Sequence, residues 1–239
     1  MRGATMLEQP KKRNFPKHRY KFGKQIKSIG LAIFKKLLDK VDGLRLKKYS
    51  PLQVKSLLVL LFWTGIRKTE AVGSPAKKYI LPSCKRHSEP IAKVSESVSG
   101  ILKEDIWVEG EWLYVKALAR KHGSREAPLM LHVSLPYVDL IISQWKETQP
   151  KQRVWPITEW DSWDIVKKLD GKKYPHFFRS VRITELCANP KMSVADICNW
   201  TGLTPETINA YMERSGRFIR ETAEKMKEQY LAMDISEAQ

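Results

Sequence analysis

Cysteine is scarce in this chain: Cys84, Cys187 and Cys198 are the only three among 239 residues. An odd, sparse set of this kind gives no disulfide framework and fits a reducing compartment, so a cytoplasmic location is expected. Long apolar runs are also missing. The longest, Leu57 to Trp63, falls far short of the ~20 residues that span a bilayer. The first residues, Met1 to Lys12, are polar and charged with no apolar stretch, so no secretory signal is expected there. No glycine-rich phosphate-binding loop occurs, so nucleotide-driven chemistry has no motif to rest on. Metal-ligand pairs are equally thin. Cys84 and His87 form a Cys-x-x-His with no second pair at ligand spacing, and neither metal nor cofactor is expected.

What the sequence has in excess is positive charge. The formal net charge is +17, and residues 2–48 hold 15 Lys or Arg against Glu8, Asp39 and Asp42. Each cation laid on a phosphate releases condensed counterions, so double-stranded DNA is the first partner to consider, with a solvated, solubilising face as the plainer reading. Residues 1–25 read as a flexible basic arm broken by Pro10 and Pro16, with Lys11, Lys12, Arg13, Lys17 and Arg19 as candidate DNA contacts. An apolar fraction of 42% is enough for a packed core.

Periodicity then sets out the elements. Ile26, Ile29, Ile33, Phe34, Leu37, Leu38 and Val41 recur at helical spacing up to Gly43. Ser50 and Pro51 are an N-cap and first-turn pair opening a second helix, with Val54, Leu57, Leu58, Leu61 and Phe62 as its stripe and Thr64-Gly65 as its end. Residues 73–99 carry Pro75, Pro82, Pro90 and several serines, and are expected to be a loop insertion with little regular structure. Strands are expected at 105–108, 112–118 and 126–133, with a Gly123-containing turn over Arg120 to Arg125. Helices follow at 136–146, up to Leu169, and at 177–187, 193–200, 205–214 and 218–231. The fold class is mixed α+β, mostly α-helical, with a small antiparallel sheet.

Three short segments stand out. Thr64-Gly65-Ile66-Arg67-Lys68-Thr69-Glu70 follows the apolar helix; Arg120-Lys121-His122-Gly123-Ser124-Arg125 lies in the strand turn; His176-Phe177-Phe178-Arg179 opens a helix, and Tyr211 comes 32 residues after Arg179. The residue types suit phosphodiester chemistry. Two guanidiniums grip the non-bridging oxygens with planar forks that stay ionised. A tyrosine, with its free pKa of ~10, needs help to lose its proton before it attacks, and an imidazole can take that proton. A lysine can return one to the departing oxygen. Taken singly, each residue has a plainer role. Arg67 can cap carbonyls or pair with Glu70, Arg179 and His176 can be ordinary helix-start residues, Tyr211 can be core beside Ile208, and Lys116 competes with Lys121.

Together and in this order, these segments make the chain resemble the tyrosine recombinase family over about residues 30 to 215. The family's members carry a Thr-Gly-x-Arg-x-x-Glu turn, a lysine in a β-turn, a His-x-x-Arg helix start and a nucleophilic tyrosine about thirty residues later. The resemblance implies a catalytic domain at 26–215 that cuts and rejoins DNA through a 3′-phosphotyrosine, with Arg67, Lys121, His176, Arg179 and Tyr211 as catalytic residues and no cofactor. It also implies a helical tail at 216–239 that docks on a neighbouring protomer in a ring of four on paired DNA sites, or packs back onto its own domain. The chain departs from the pattern in two places. Leu203 stands where a histidine or tryptophan usually precedes the tyrosine, with Trp200 close by, and Ser180 stands where a histidine often follows the arginine. A decayed, DNA-binding accessory protein and a type IB topoisomerase are the alternatives.

Overall fold

The computed structural model describes residues 30–81, 91–95, 97–117, 127–171 and 175–215, together with 224 and 226. At its centre is α2 (Pro51–Thr64), opened by a capping box: Ser50 Oγ accepts from the Gln53 amide at 3.1 Å and Gln53 Oε1 accepts from the Ser50 amide at 3.1 Å. The expected single apolar stripe is an underestimate here. Every residue from Ser56 to Phe62 is buried, because α1 (Leu31–Asp42), α4 (Val138–Glu147) and α6 (Pro175–Ala188) all pack on this helix. Of its two buried hydroxyls, Ser56 Oγ accepts a hydrogen bond from the Trp155 indole at 2.9 Å and Thr64 Oγ1 donates to the Leu60 carbonyl at 2.5 Å. Such pairing removes the penalty of a polar group left dry in a core.

The α1 helix lays Phe34, Leu37, Leu38 and Val41 onto α2, with the Phe34 and Phe62 rings stacked at 4.0 Å. Ile33, expected on the buried side, is 50% exposed, since it sits off the i, i+3, i+4, i+7 face those four define. Residues 26–29, and with them Ile26 and Ile29, lie outside the described residues, as do the whole basic arm, Cys84 and His87, the turn that carries Lys121, and the tail apart from two positions.

A three-stranded antiparallel sheet follows, β3 (Ile106–Glu109), β4 (Trp112–Val115) and β5 (Leu129–His132) in that order. Ile106, Leu113, Val115, Leu129 and Leu131 point into the core, as period-2 alternation requires. The segment 73–99 corrects the sequence expectation of a loop. It holds an antiparallel pair, β1 (Lys77–Leu81) and β2 (Ile91–Ser95), with Ser74 bridged to Val98 at its base. Of the prolines that argued for a loop, Pro75 lies before β1, where its missing N–H costs no ladder bond, and Pro82 and Pro90 lie outside the described residues. Gly73 and Gly100, both at φ 79°, meet back to back at that base: a Cβ on Gly100 would stand 2.7 Å from the Gly73 nitrogen.

The last third is a smaller helical unit of α6, α7 (Val194–Thr201) and α8 (Pro205–Ser215) around Ile183, Leu186, Cys187, Ile197, Ile208 and Met212. As expected, α8 starts at Pro205, with the Ile208 amide bonded to the Thr204 carbonyl at 3.1 Å. Between the sheet and this unit, α5 (Glu159–Leu169) begins at an N-cap Thr158 whose hydroxyl accepts from the Asp161 amide at 3.0 Å.

Candidate active site

The site grows from the end of α2. Gly65 takes the left-handed conformation (φ 64°) that closes this helix, and its bare Cα lets α6 approach; a Cβ there would lie 2.9 Å from the Arg182 Cβ. Two residues on, Arg67 precedes α3 (Lys68–Val72). Its Nη1 meets Glu70 Oε1 at 2.6 Å, while its backbone N–H donates to Glu70 Oε2 at 3.0 Å. Glu70 is 1% exposed, so a buried carboxylate fixes both the backbone and the guanidinium of Arg67. The arginine itself keeps about a fifth of its side-chain surface open (22%).

Across from it, the His-x-x-Arg spacing puts His176 and Arg179 on one face of α6. Arg179 is 2% exposed, and its fork is committed to backbone: Nη1 donates to the Gly65 carbonyl at 2.8 Å and Nη2 to the Thr201 carbonyl at 2.9 Å. It thus ties the C-terminal end of α2 to that of α7, where helix dipoles concentrate negative potential. Trp200 adds a parallel tie, donating its indole N–H to the Thr64 carbonyl at 3.0 Å.

His176 reports on the field these groups create. Its ring is open to solvent, yet desolvation by the protein around it, then Arg179, Arg67 and Lys68, hold its imidazole below the ordinary histidine value. Four groups therefore share one corner of the molecule: Arg67, Lys68, His176 and Arg179.

Lys68 was missed as a site residue from sequence, although it stands in the Arg-Lys-Thr-Glu turn beside Arg67. Its Nζ is held by α5, 3.3 Å from the Glu159 carbonyl and 3.6 Å from its carboxylate. Arg182, one turn beyond Arg179, was missed too. Its guanidinium lies over the Trp63 ring at 5.6 Å, and burial pulls its pKa down against the opposing pull of Glu185.

Tyr211 sits on α8, the helix that packs along α6. It is half-buried and rests on the smaller core with Leu203, Cys198 and Trp200, so it is not a fully enclosed core residue. Leu203 is half-buried and packs against that core, and Ser180 follows Arg179 with its carbonyl accepting from the Thr184 hydroxyl at 2.8 Å. Lys121, Lys11, Lys12, Arg13, Lys17 and Arg19 lie outside the described residues. Lys116 is exposed just past β4. Among the described residues, no cluster of His, Cys, Asp or Glu can hold a metal ion, and no helix is long and apolar enough to cross a membrane.

The arrangement of elements matches solved structures. The chain is similar to the site-specific recombinase XerH bound to palindromic difH substrate in a post-cleavage complex, with a TM-score of 0.55 and 13% identity over 84% of this chain and 53% of that one. A pre-cleavage complex of XerH with difH gives a TM-score of 0.52 at 13% identity, over 77% of this chain and 49% of that one. The fold is that of the tyrosine recombinases. This chain spans about half the length of those recombinases. No protein-family model and no curated protein matches it by sequence. The likeness at 13% identity is one of fold, and in this fold the ends of α2, α3 and α6 carry Arg67, Lys68, His176 and Arg179.

Proposed function

We propose that the chain is the catalytic part of a site-specific DNA recombinase of the integrase type, which breaks and rejoins strands through a 3′-phosphotyrosine on Tyr211. The observation that carries this reading is the gathering of Arg67, Lys68 and Arg179 around a solvent-facing His176 within a recombinase fold.

In the proposed reaction the two arginines hold the non-bridging oxygens of the scissile phosphate, whose charge rises as the fifth bond forms. The Glu70 contact orients the Arg67 fork before substrate arrives, whereas Arg179, whose fork holds the Gly65 and Thr201 carbonyls, turns part of it to the phosphate on binding. The Tyr211 oxygen attacks phosphorus and its proton passes to His176, whose charged form is disfavoured first by burial and then by Arg179, Arg67 and Lys68. The bond from phosphorus to the 5′ oxygen breaks, and Lys121 returns a proton to that oxygen. A 5′ hydroxyl of another strand then reverses the sequence. One ester replaces another, so the bond energy is conserved and neither ATP nor a metal is called for. Lys11, Lys12, Arg13, Lys17 and Arg19 supply phosphate contacts on flanking duplex, and the tail joins protomers on paired sites.

One observation favours a second reading, a DNA-binding protein that has lost the chemistry. Leu203, at the position where the family usually offers a hydrogen bond to the phosphate, is apolar and packs half-buried against the smaller core. A nicked suicide duplex carrying a candidate site separates the two. The recombinase forms a covalent adduct that survives denaturation and EDTA and disappears in Tyr211→Phe. Salt-sensitive binding with no adduct on any substrate geometry establishes the second reading, and an adduct that persists in Tyr211→Phe removes Tyr211 as nucleophile.

A further inference from the structure

Beyond the cleavage site, α5 carries an outward stripe that the proposed chemistry does not use. Successive helical residues turn by about 100°, so around α5 the side chains run from the buried Val166 through Glu159 and Trp163 to Lys167 and Trp160. Exposure follows the same order: Val166 is 4% exposed, Trp163 38% and Trp160 76%. Lys167 places its ammonium 4.6 Å from the Trp163 ring centre. At the inner edge of the stripe, Glu159 holds Lys68, which belongs to the cationic corner around His176. Asp164 borders the outer edge, and Lys168 pairs with it at 2.7 Å. The helix is fixed in place, since the Tyr49 hydroxyl donates to Asp161 at 2.5 Å and Ile165, Val166 and Leu169 are buried.

A tryptophan three-quarters exposed on a rigid helix holds a large apolar face in water at a cost, and it needs a flat apolar partner. Cations alternate with indoles along the stripe, and the stripe starts at the site proposed to hold the scissile phosphate. Nucleic acid offers both halves of the complement: phosphates for Lys68 and Lys167, and base faces for indoles. Resting on the recombinase reading, we infer that α5 forms a stacking platform on which Trp160 receives an unpaired base beside the cleaved phosphate, while Lys167 follows the backbone. An intact duplex presents no free base face, so the contact forms where the strands separate.

Binding of the full chain is compared on a duplex with a two-nucleotide single-stranded gap and on the same duplex without the gap. The expected result is that Trp160→Ala binds the gapped duplex roughly tenfold more weakly and the intact one unchanged, while Trp160→Phe keeps most of the affinity. Lys167→Gln lowers the salt dependence by roughly one counterion on the gapped duplex. Trp160→Ala binding the gapped duplex as tightly as the unaltered chain overturns the platform. So does a loss that is equal on both duplexes, or a change in self-association measured by ultracentrifugation without a change in DNA binding. If the unaltered chain binds neither duplex, the recombinase reading itself fails, which is a different result from any of these.

Discussion

Arg179 is the residue whose replacement should tell most. It is almost fully buried and its two terminal nitrogens hold the Gly65 and Thr201 carbonyls at 2.8 and 2.9 Å. A hydrogen bond from a charged donor contributes about 1.5–3 kcal/mol net, so the pair contributes roughly 3–6 kcal/mol where solvent screening is slight. Arg179→Met keeps much of the side-chain length but leaves both carbonyls dry. In a chain of this size each kcal/mol moves the melting temperature by about 2–4 °C, so thermal unfolding followed by helical circular dichroism should show a loss of at least roughly 6 °C. Arg179→Lys should fall between the two, because one ammonium cannot reproduce a planar fork with fixed donor directions. A melting temperature for Arg179→Met within about 2 °C of the unaltered chain would refute the clamp between α2 and α7. Equal stability of the Lys and Met variants would refute the need for a fork. A large loss also sets a condition on kinetic experiments: cleavage by Arg179 variants must be read at a temperature where they remain folded.

Three further outcomes are expected. The His176 imidazole should titrate below its ordinary 6.5 by NMR, because desolvation and three cations disfavour its charged form; stability linked to it is present above pH 6.5 and is lost as pH falls through the lower folded value. Arg67→Gln and added salt should each raise that midpoint, and a midpoint at or above 6.5 in the unaltered chain contradicts the cationic corner. Trp155→Phe leaves Ser56 without its 2.9 Å donor in the core and should cost about 1–3 kcal/mol in urea unfolding, with Ser56→Ala in the same chain recovering part of it; strict additivity of the two replacements argues against the bond. Gly65→Ala forces a side chain into φ 64° and against Arg182, so it should cost more than the ~1–2 kcal/mol of the backbone conformation alone, and a neutral effect would mean that α6 is free to move away.

Much of the architecture could be read directly because it depends on local chemistry. Ser50 with Pro51 and Gly65 bound α2 as expected, and richness in β-branched, aromatic and apolar residues located all three strands of the β3–β5 sheet to within a few residues. The 73–99 segment was misread because Pro and Ser density signals interruption, while the pairing of β1 with β2 is a long-range event whose base is set by two glycines meeting across 27 residues. Ile33 was misplaced for a related reason: one face of α1 was assigned from spacing alone, and only the position of α2 decides which residues it covers.

The candidate site divides along the same line. Sequence alone determined the kinds of groups present and their order: Arg67 followed by Glu70, His176 and Arg179 three apart on one helix, Tyr211 on a later one. Tertiary structure alone decided what each faces. It buried Arg179 against two helix ends, locked Arg67 to a sunken carboxylate, brought Lys68 up to His176 from a different element, and left Trp160 in water. The reason is physical. Helix periodicity and capping act over three or four residues and are written in adjacent side chains, whereas burial and electrostatic fields depend on groups brought together from distant parts of the chain.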